Sequence, residues 1–167
     1  LASEAIMTIH EGGYANFTED LREVELAIID PADPSEDLVL VIPESILRRY
    51  EGDGPIPDPD GLLPFEMIVN RWMDNSQVLG PEMIRAEDGE PPPNLATEGW
   101  GRMAIARPIP SITGVDLQQV DLASVYVSIR HHGEPSGVFL LTQHLQQPQP
   151  VMIGGKTYQL ILRFKRA

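Results

Sequence analysis

"SVYVSIRHHGEPSGVFLLTQHL" (Ser124–Leu145) reads as a β-hairpin and holds three of the four histidines in the chain. Val125, Val127 and Ile129 alternate with Tyr126 and Ser128, the two-residue period of a strand with one buried face. If "HGEPS" is the turn, Arg130 pairs with Val138 and Ser124 falls near His144. At about 3.3 Å per residue, His144 is then roughly 20 Å from His131, too far for both to bind one metal or haem iron. His131 and His132 are neighbours, so on a strand they point to opposite faces unless the turn bends them. His131 should share the face of Ile129. Histidines at a turn tip or rim are the expected reading, and one of them acting as a single axial haem ligand is the alternative.

Outward from the hairpin, strand signals recur and helical ones are scarce. "VMIGGKTYQLILRFKR" (Val151–Arg166) holds a Gly-Gly turn followed by a strand over Lys156–Phe164. The segments 124–131, 137–144 and 156–164 are expected to form the core sheet, with Ile129 and Leu160 facing the core. "RMAIARPIP" (Arg102–Pro110) predicts an edge strand, because Pro108 and Pro110 cannot donate to a ladder. Towards the N-terminus, "AIMTIH" (Ala5–His10) predicts a strand and "EGGYANF" a turn at Gly12 and Gly13. "EVELAIID" (Glu23–Asp30) and "DLVLVIP" (Asp37–Pro43) form a hairpin joined by the stiff acidic loop "DPADPSED". "PESILRRY" (Pro43–Tyr50) is a short helix with Ile46, Leu47 and Tyr50 on one face. In "LPFEMIVNRWM" (Leu63–Met73), Phe65, Met67 and Val69 face one way. Ile68 and Trp72 are apolar too, so both faces of this strand are expected to be covered in part. "PEMIRAEDGEPPPNLATEGWG" (Pro81–Gly101) predicts a long ordered loop.

The expected fold is mainly β, an antiparallel β-sandwich or open barrel with one or two short helices, forming one domain over residues 1–167. The 16 prolines and 14 glycines in 167 residues leave little room for long helices. That length allows roughly two-thirds of the unfolded surface to be buried.

A net charge of −13 argues against nucleic acid and against an anionic membrane surface, and suits a basic or neutral partner. With no cysteine, disulfides, thiolate metal sites, covalent haem attachment and thiol catalysis are excluded. No run of 18 apolar residues predicts a membrane helix. The start at Leu1 without an initiator methionine suggests a piece of something longer.

No motif points to catalysis. Asp53, Asp58 and Asp60 of "EGDGPIPDPDG" (Glu51–Gly61) resemble a calcium-type oxygen cluster, but the spacing misses the EF-hand pattern because Ile56 stands two before Asp58. A solvated, proline-stiffened loop is expected instead, with no metal. There is no G-x-S-x-G elbow, and "GWG" (Gly99–Gly101) and Gly154-Gly155 are expected not to precede helices, so they are not phosphate loops. A hydrolase would need two carboxylates converging in a cleft with their pKa values split. Trp72 and Trp100 are expected to pack in the core or at its edge rather than to line a carbohydrate or peptide surface.

The ordered phrases "IMTIHEGG", "REVELAIIDPADPSEDLVLVIPESIL", "LPFEMIVNRWMDNSQV", "ATEGWG", the histidine hairpin and "GGKTYQLILRFKR" together resemble the extracytoplasmic region of ResB-like cytochrome c biogenesis proteins. The likeness spans most of the chain and rests on strand and turn phrasing, not on a catalytic motif. It implies a non-enzymatic soluble region of a membrane-anchored protein on the periplasmic side. Its implied partners are other cytochrome c maturation proteins and apocytochrome c. The haem-handling histidines of that family belong to its membrane segments or their flanks. No haem ligand is therefore carried over to His10, His131, His132 or His144, and no cofactor is expected. The alternative is a generic extracytoplasmic β-sandwich module binding protein or carbohydrate.

Overall fold

The computed structural model describes residues 6–11, 19–31, 37–83, 89–112 and 120–166. The turn expected at Gly12 and Gly13 and most of the "DPADPSED" loop lie outside them. Ten strands and one α-helix are described, consistent with the expected antiparallel sandwich: β1 (Met7–Glu11), β2 (Glu19–Asp30), β3 (Asp37–Pro43), α1 (Glu44–Arg49), β4 (Glu66–Met73), β5 (Ser76–Leu79), β6 (Ile105–Pro108), β7 (Ser124–His131), β8 (Glu134–Thr142), β9 (Gln149–Ile153) and β10 (Lys156–Arg166).

Three antiparallel sheets result, ordered β1-β3-β2-β10-β9, β4-β7-β8 and β5-β6. The first two face each other across one core. Val24, Leu26 and Ile28 of β2, Leu40 and Ile42 of β3, and Leu160 and Leu162 of β10 meet Met67 and Val69 of β4, Val125, Val127 and Ile129 of β7, and Leu141 of β8. Ile129 and Leu160 are both fully buried, as expected. The strands 124–131, 137–144 and 156–164 do not form one sheet, however. β10 is the partner of β2 in the five-stranded sheet, opposite the β7–β8 hairpin. Alternation reports which residues face inward, and both inner faces of a sandwich alternate alike.

The sheets also bury their outer faces. Met73, Tyr126, Leu140 and Ala106 make a second small core where β5 and β6 cover the three-stranded sheet, with Trp100 packed against it. The buried Tyr126 hydroxyl accepts the Ala106 N–H at 3.0 Å, and burial raises the phenol's pKa. On the far side of the five-stranded sheet, Ala27, Val39, Val41 and Ile161 are buried. Arg163 Nε donates to Glu25 at 2.9 Å there, with both side chains 4% exposed.

Helix α1 begins one residue later than expected. Pro43 stays extended (φ −64, ψ 154) as the last residue of β3, and Glu44 leads the helix. Ile46 and Leu47 enter the main core, with Tyr50 packed against it. In β4 the extra residue Asn70 bulges and bonds Ser128 Oγ at 2.7 Å. Without that bulge Arg71 would follow Met67 and Val69 inward. With it, Trp72 takes the core-facing place.

Both edges of the three-stranded sheet are covered. The acidic loop runs back along β4: Gly52 N–H donates to Val69 at 2.9 Å and Ile56 N–H to Met67 at 2.8 Å, with Pro55 bridging Ile68. Residues 94–101 do the same for β8, Thr97 and Glu98 both donating to the Val138 carbonyl. Prolines among these segments stop them from continuing as strands.

Candidate functional site

The histidines of the hairpin β7–β8 sit at its opposite ends, on a register that differs from the expected one by two residues at Ser124 and three at Arg130. The turn is two residues, His132 and Gly133, with φ of 51° and 80°. His131 therefore pairs with Glu134 and Arg130 with Pro135. After a bulge Ile129 pairs with Gly137, and Ser124 faces Thr142 rather than His144. A pair of left-handed residues is the geometry of a type I′ hairpin. Histidine tolerates that region better than most side chains, which is why "HG" can serve as the turn.

His144 leaves the ladder and works as a clamp. Its Nε2 lies 2.8 Å from the Ser76 carbonyl, tying the end of the hairpin to β5. Around it Ser76 Oγ lies 2.7 Å from Ser124 Oγ, Ser124 Oγ donates to Thr142 Oγ1 at 2.7 Å, and Gln143 Oε1 accepts the Ala123 N–H at 2.8 Å. His10 lies in β1 opposite Leu38.

The turn does bend His131 and His132 together, with ring centroids 4.0 Å apart. His131 lies against the β9–β10 turn so closely that a Cβ on Gly154 would come within 2.9 Å of its Cε1. The rings border a cleft of about 400 Å3 at this end of the sandwich. Its apolar lining is Pro55, Ile56, Leu63, Pro64 and Phe65, and its other polar groups are Asp58 and Glu66. Phe65 is buried and meets Tyr158 edge to face at 5.6 Å. Asp58 accepts the Leu62 and Leu63 N–H groups at 2.8 and 2.9 Å, which fixes the loop wall. Asp53 and Asp60 are exposed elsewhere on that loop. Among the described residues no group of three or more histidines or carboxylates could hold a metal ion.

A second cleft, about 380 Å3, lies beside α1 and is lined by Glu23, Glu25, Glu44, Arg48 and Lys165 among others. Arg48 Nη2 stands 3.6 Å from Glu44 and 2.7 Å from Asp74, and the two carboxyls are moved in opposite directions. Burial raises the Glu44 pKa against the pull of Arg48. At Asp74 burial acts upward as well, but hydrogen bonds from Trp72 Nε1 and Arg48 outweigh it and hold the group below its ordinary value. The split comes from burial and one shared guanidinium; Asp74 does not line the cleft, so the two carboxyls whose pKa values part do not face one substrate space, and of the glutamates that do line it Glu25 is held by Arg163 and Glu23 by Lys165.

Trp72 is 9% exposed and Trp100 is half-buried, so neither forms a platform for sugar rings. Contrary to the expectation for "GWG", Gly99 precedes a helix, a single 3-10 turn at Trp100–Met103. Its glycines serve close packing: a Cβ on Gly101 would come within 2.7 Å of Leu140 Cβ. Sequence reasoning missed the tip cleft because the loop that walls it is distant in the chain from the hairpin. The signal available was the proline spacing of "PIPDPDG", which forbids a helix and stiffens the wall. No helix among the described residues is long and apolar enough to cross a membrane. No protein family, curated protein or solved structure matches the chain.

Proposed function

We propose that this chain is a non-enzymatic binding domain, the extracytoplasmic soluble region of a ResB-like cytochrome c maturation protein. In this reading it scaffolds that complex or presents apocytochrome c to it, on the periplasmic side of a membrane that anchors the parent protein. The observation that carries the proposal is where the likeness falls. "REVELAIIDPADPSEDLVLVIPESIL" runs through β2, β3 and α1, and "LPFEMIVNRWMDNSQV" through β4 into β5. "ATEGWG" is the strap on the open edge of β8, and the remaining phrases include the β7–β8 hairpin and the Gly-Gly turn into β10. The likeness follows strands, turns and edge covers, the parts a scaffold shares with its relatives, and the charge of −13 suits a basic partner.

The test is a titration of the purified domain with an apocytochrome peptide bearing CXXCH, and separately with haem followed at the Soret band. The expected result is saturable peptide binding that is lost when the peptide is scrambled, with no saturable haem shift. A peptide that fails to bind overturns the partner assignment. A one-to-one haem shift abolished by the His131→Ala/His132→Ala double substitution makes the hairpin a haem contact and overturns the scaffold reading.

A further inference from the structure

The tip cleft is chemically one-sided. Its four polar side chains are two carboxylates, Asp58 and Glu66, and two imidazoles, His131 and His132, with no lysine or arginine in the lining. The side chains of Glu66, His131 and His132 have no hydrogen bond or ion pair among the described residues. Every neutral imidazole offers an acceptor nitrogen, and a carboxylate offers acceptors alone. The cleft beside α1 differs in this respect, because Arg48 and Lys165 answer its glutamates.

The other wall is apolar and rigid. Ile56 and Phe65 are buried, and the Ile56 N–H is held by Met67. Asp58 pins the chain at Leu62 and Leu63 through both carboxylate oxygens. His132 holds the rim in a left-handed conformation, the one non-glycine residue with positive φ among those described. A conformation of that kind costs about 1 kcal/mol or more, and such outliers cluster where a side chain is being held in place. The volume of about 400 Å3 falls in the range of small-molecule sites.

We propose that this cleft binds an organic cation, an ammonium or guanidinium head on an apolar stem. The head sits among Glu66, Asp58 and the imidazoles, and the stem lies against Ile56, Leu63 and Phe65. An anion would meet two carboxylates and no lysine or arginine in the cleft wall; Arg130, opposite Glu66 in the β4–β7 ladder, is not among the lining residues. A bare metal ion lacks its donor set here, since no described group of three or more histidines or carboxylates could hold one. The net charge of −13 raises the local concentration of cations of either source, a free amine or a partner's basic side chain. The inference stands apart from the cytochrome-maturation reading, so a failed CXXCH titration leaves it intact.

The experiment is an amide-shift NMR titration of the domain with pentylamine and pentylguanidine, beside pentanoate and pentanol as controls with the same stem. Both cations should give saturable shifts at Glu66 and at His131–Gly133, and Glu66→Gln should weaken them at least threefold. Glu66 is exposed, so that variant keeps the fold. Equal shifts from pentanoate or pentanol, no saturable shift from either cation, or undiminished affinity in Glu66→Gln would each overturn the proposal. A blocked Leu–Lys–Leu peptide binding at least tenfold tighter than pentylamine assigns the head to a partner's side chain. The opposite order assigns it to a free amine.

Discussion

At the base of the β7–β8 hairpin, polar side chains are buried and tied to one another; at its tip they stand open. Ser124, Thr142 and Gln143 are each at most 3% exposed, and Ser76 and His144 join them to β5. The side chains of His131, His132 and Glu66 at the other end find no hydrogen-bond partner among the described residues, and these residues border a cleft. The same hairpin thus spends one histidine on holding the fold and two on a surface that can still make bonds. The difference teaches where binding is to be sought: a buried cluster whose members bond one another reports packing, even with Gln143 Nε2 left without a partner among the described residues, and accessible polar groups beside a rigid apolar wall leave room for a ligand.

Between the two ends lies the core that makes both rigid, and the largest effect is expected there. Ile129→Ala should cost about 2–5 kcal/mol, as should Leu160→Ala on the facing sheet. Urea unfolding checks this, and an unchanged midpoint for either would remove that strand from the core.

Base and tip should then separate. Ser124→Ala strips a hydroxyl from between Ser76 and Thr142, leaving buried groups short of a partner, and should cost about 1–3 kcal/mol. Glu66→Gln should move stability by less than about 0.5 kcal/mol. His132→Gly should raise it by about 0.5–1 kcal/mol, since relief of the left-handed conformation exceeds the added freedom of glycine in the unfolded chain. Calorimetry on the three variants tests the contrast directly. A destabilised His132→Gly would show that the ring, packed against His131, contributes more than its backbone costs.

How much of this was legible depends on distance along the chain. β3 was readable to the residue, because its alternation is strong and its ends are punctuated by Asp and Pro; β2 was read four residues short at its start and β10 two short at its end, where no proline or glycine stands. Helix α1 was readable from Ile46, Leu47 and Tyr50. β5 was not: "SQVL" is four residues long with no alternation of its own, and it becomes a strand by pairing with β6. The hairpin register was misjudged, by two residues at Ser124 and three at Arg130, because "HGEPS" was taken as the turn whereas His132 accepts a positive φ and closes a two-residue one. Assignment of β10 to the opposite sheet was beyond a pattern that records facing and not partnership. The tip cleft needed a loop and a hairpin more than sixty residues apart in sequence to be placed together, and no local signal carries that.

The smallest expected effect sharpens the base end by pH. Asp74 and Glu44 flank one guanidinium, yet their folded-state pKa values move oppositely, Asp74 down from 3.8 and Glu44 up from 4.5. A lowered carboxyl stabilises the fold above its unfolded value and loses that contribution as pH falls through the folded one. Asp74 therefore supports the fold at neutral pH and gives way in acid, below about pH 4. A raised carboxyl does the reverse: Glu44 favours the folded state below its unfolded value and loses that as pH rises through the folded one, so at neutral pH its charge opposes folding. Asp74→Asn should lower stability at pH 7 and flatten its decline in acid. Glu44→Gln should raise stability at pH 7 and change little at pH 4. Asp74 is 52% exposed, so its part is under about 1 kcal/mol, and thermal melts at pH 7 and pH 4 for both variants resolve the signs. Shifts of the same sign in both variants at pH 7 would mean that Arg48, and not burial, governs Glu44.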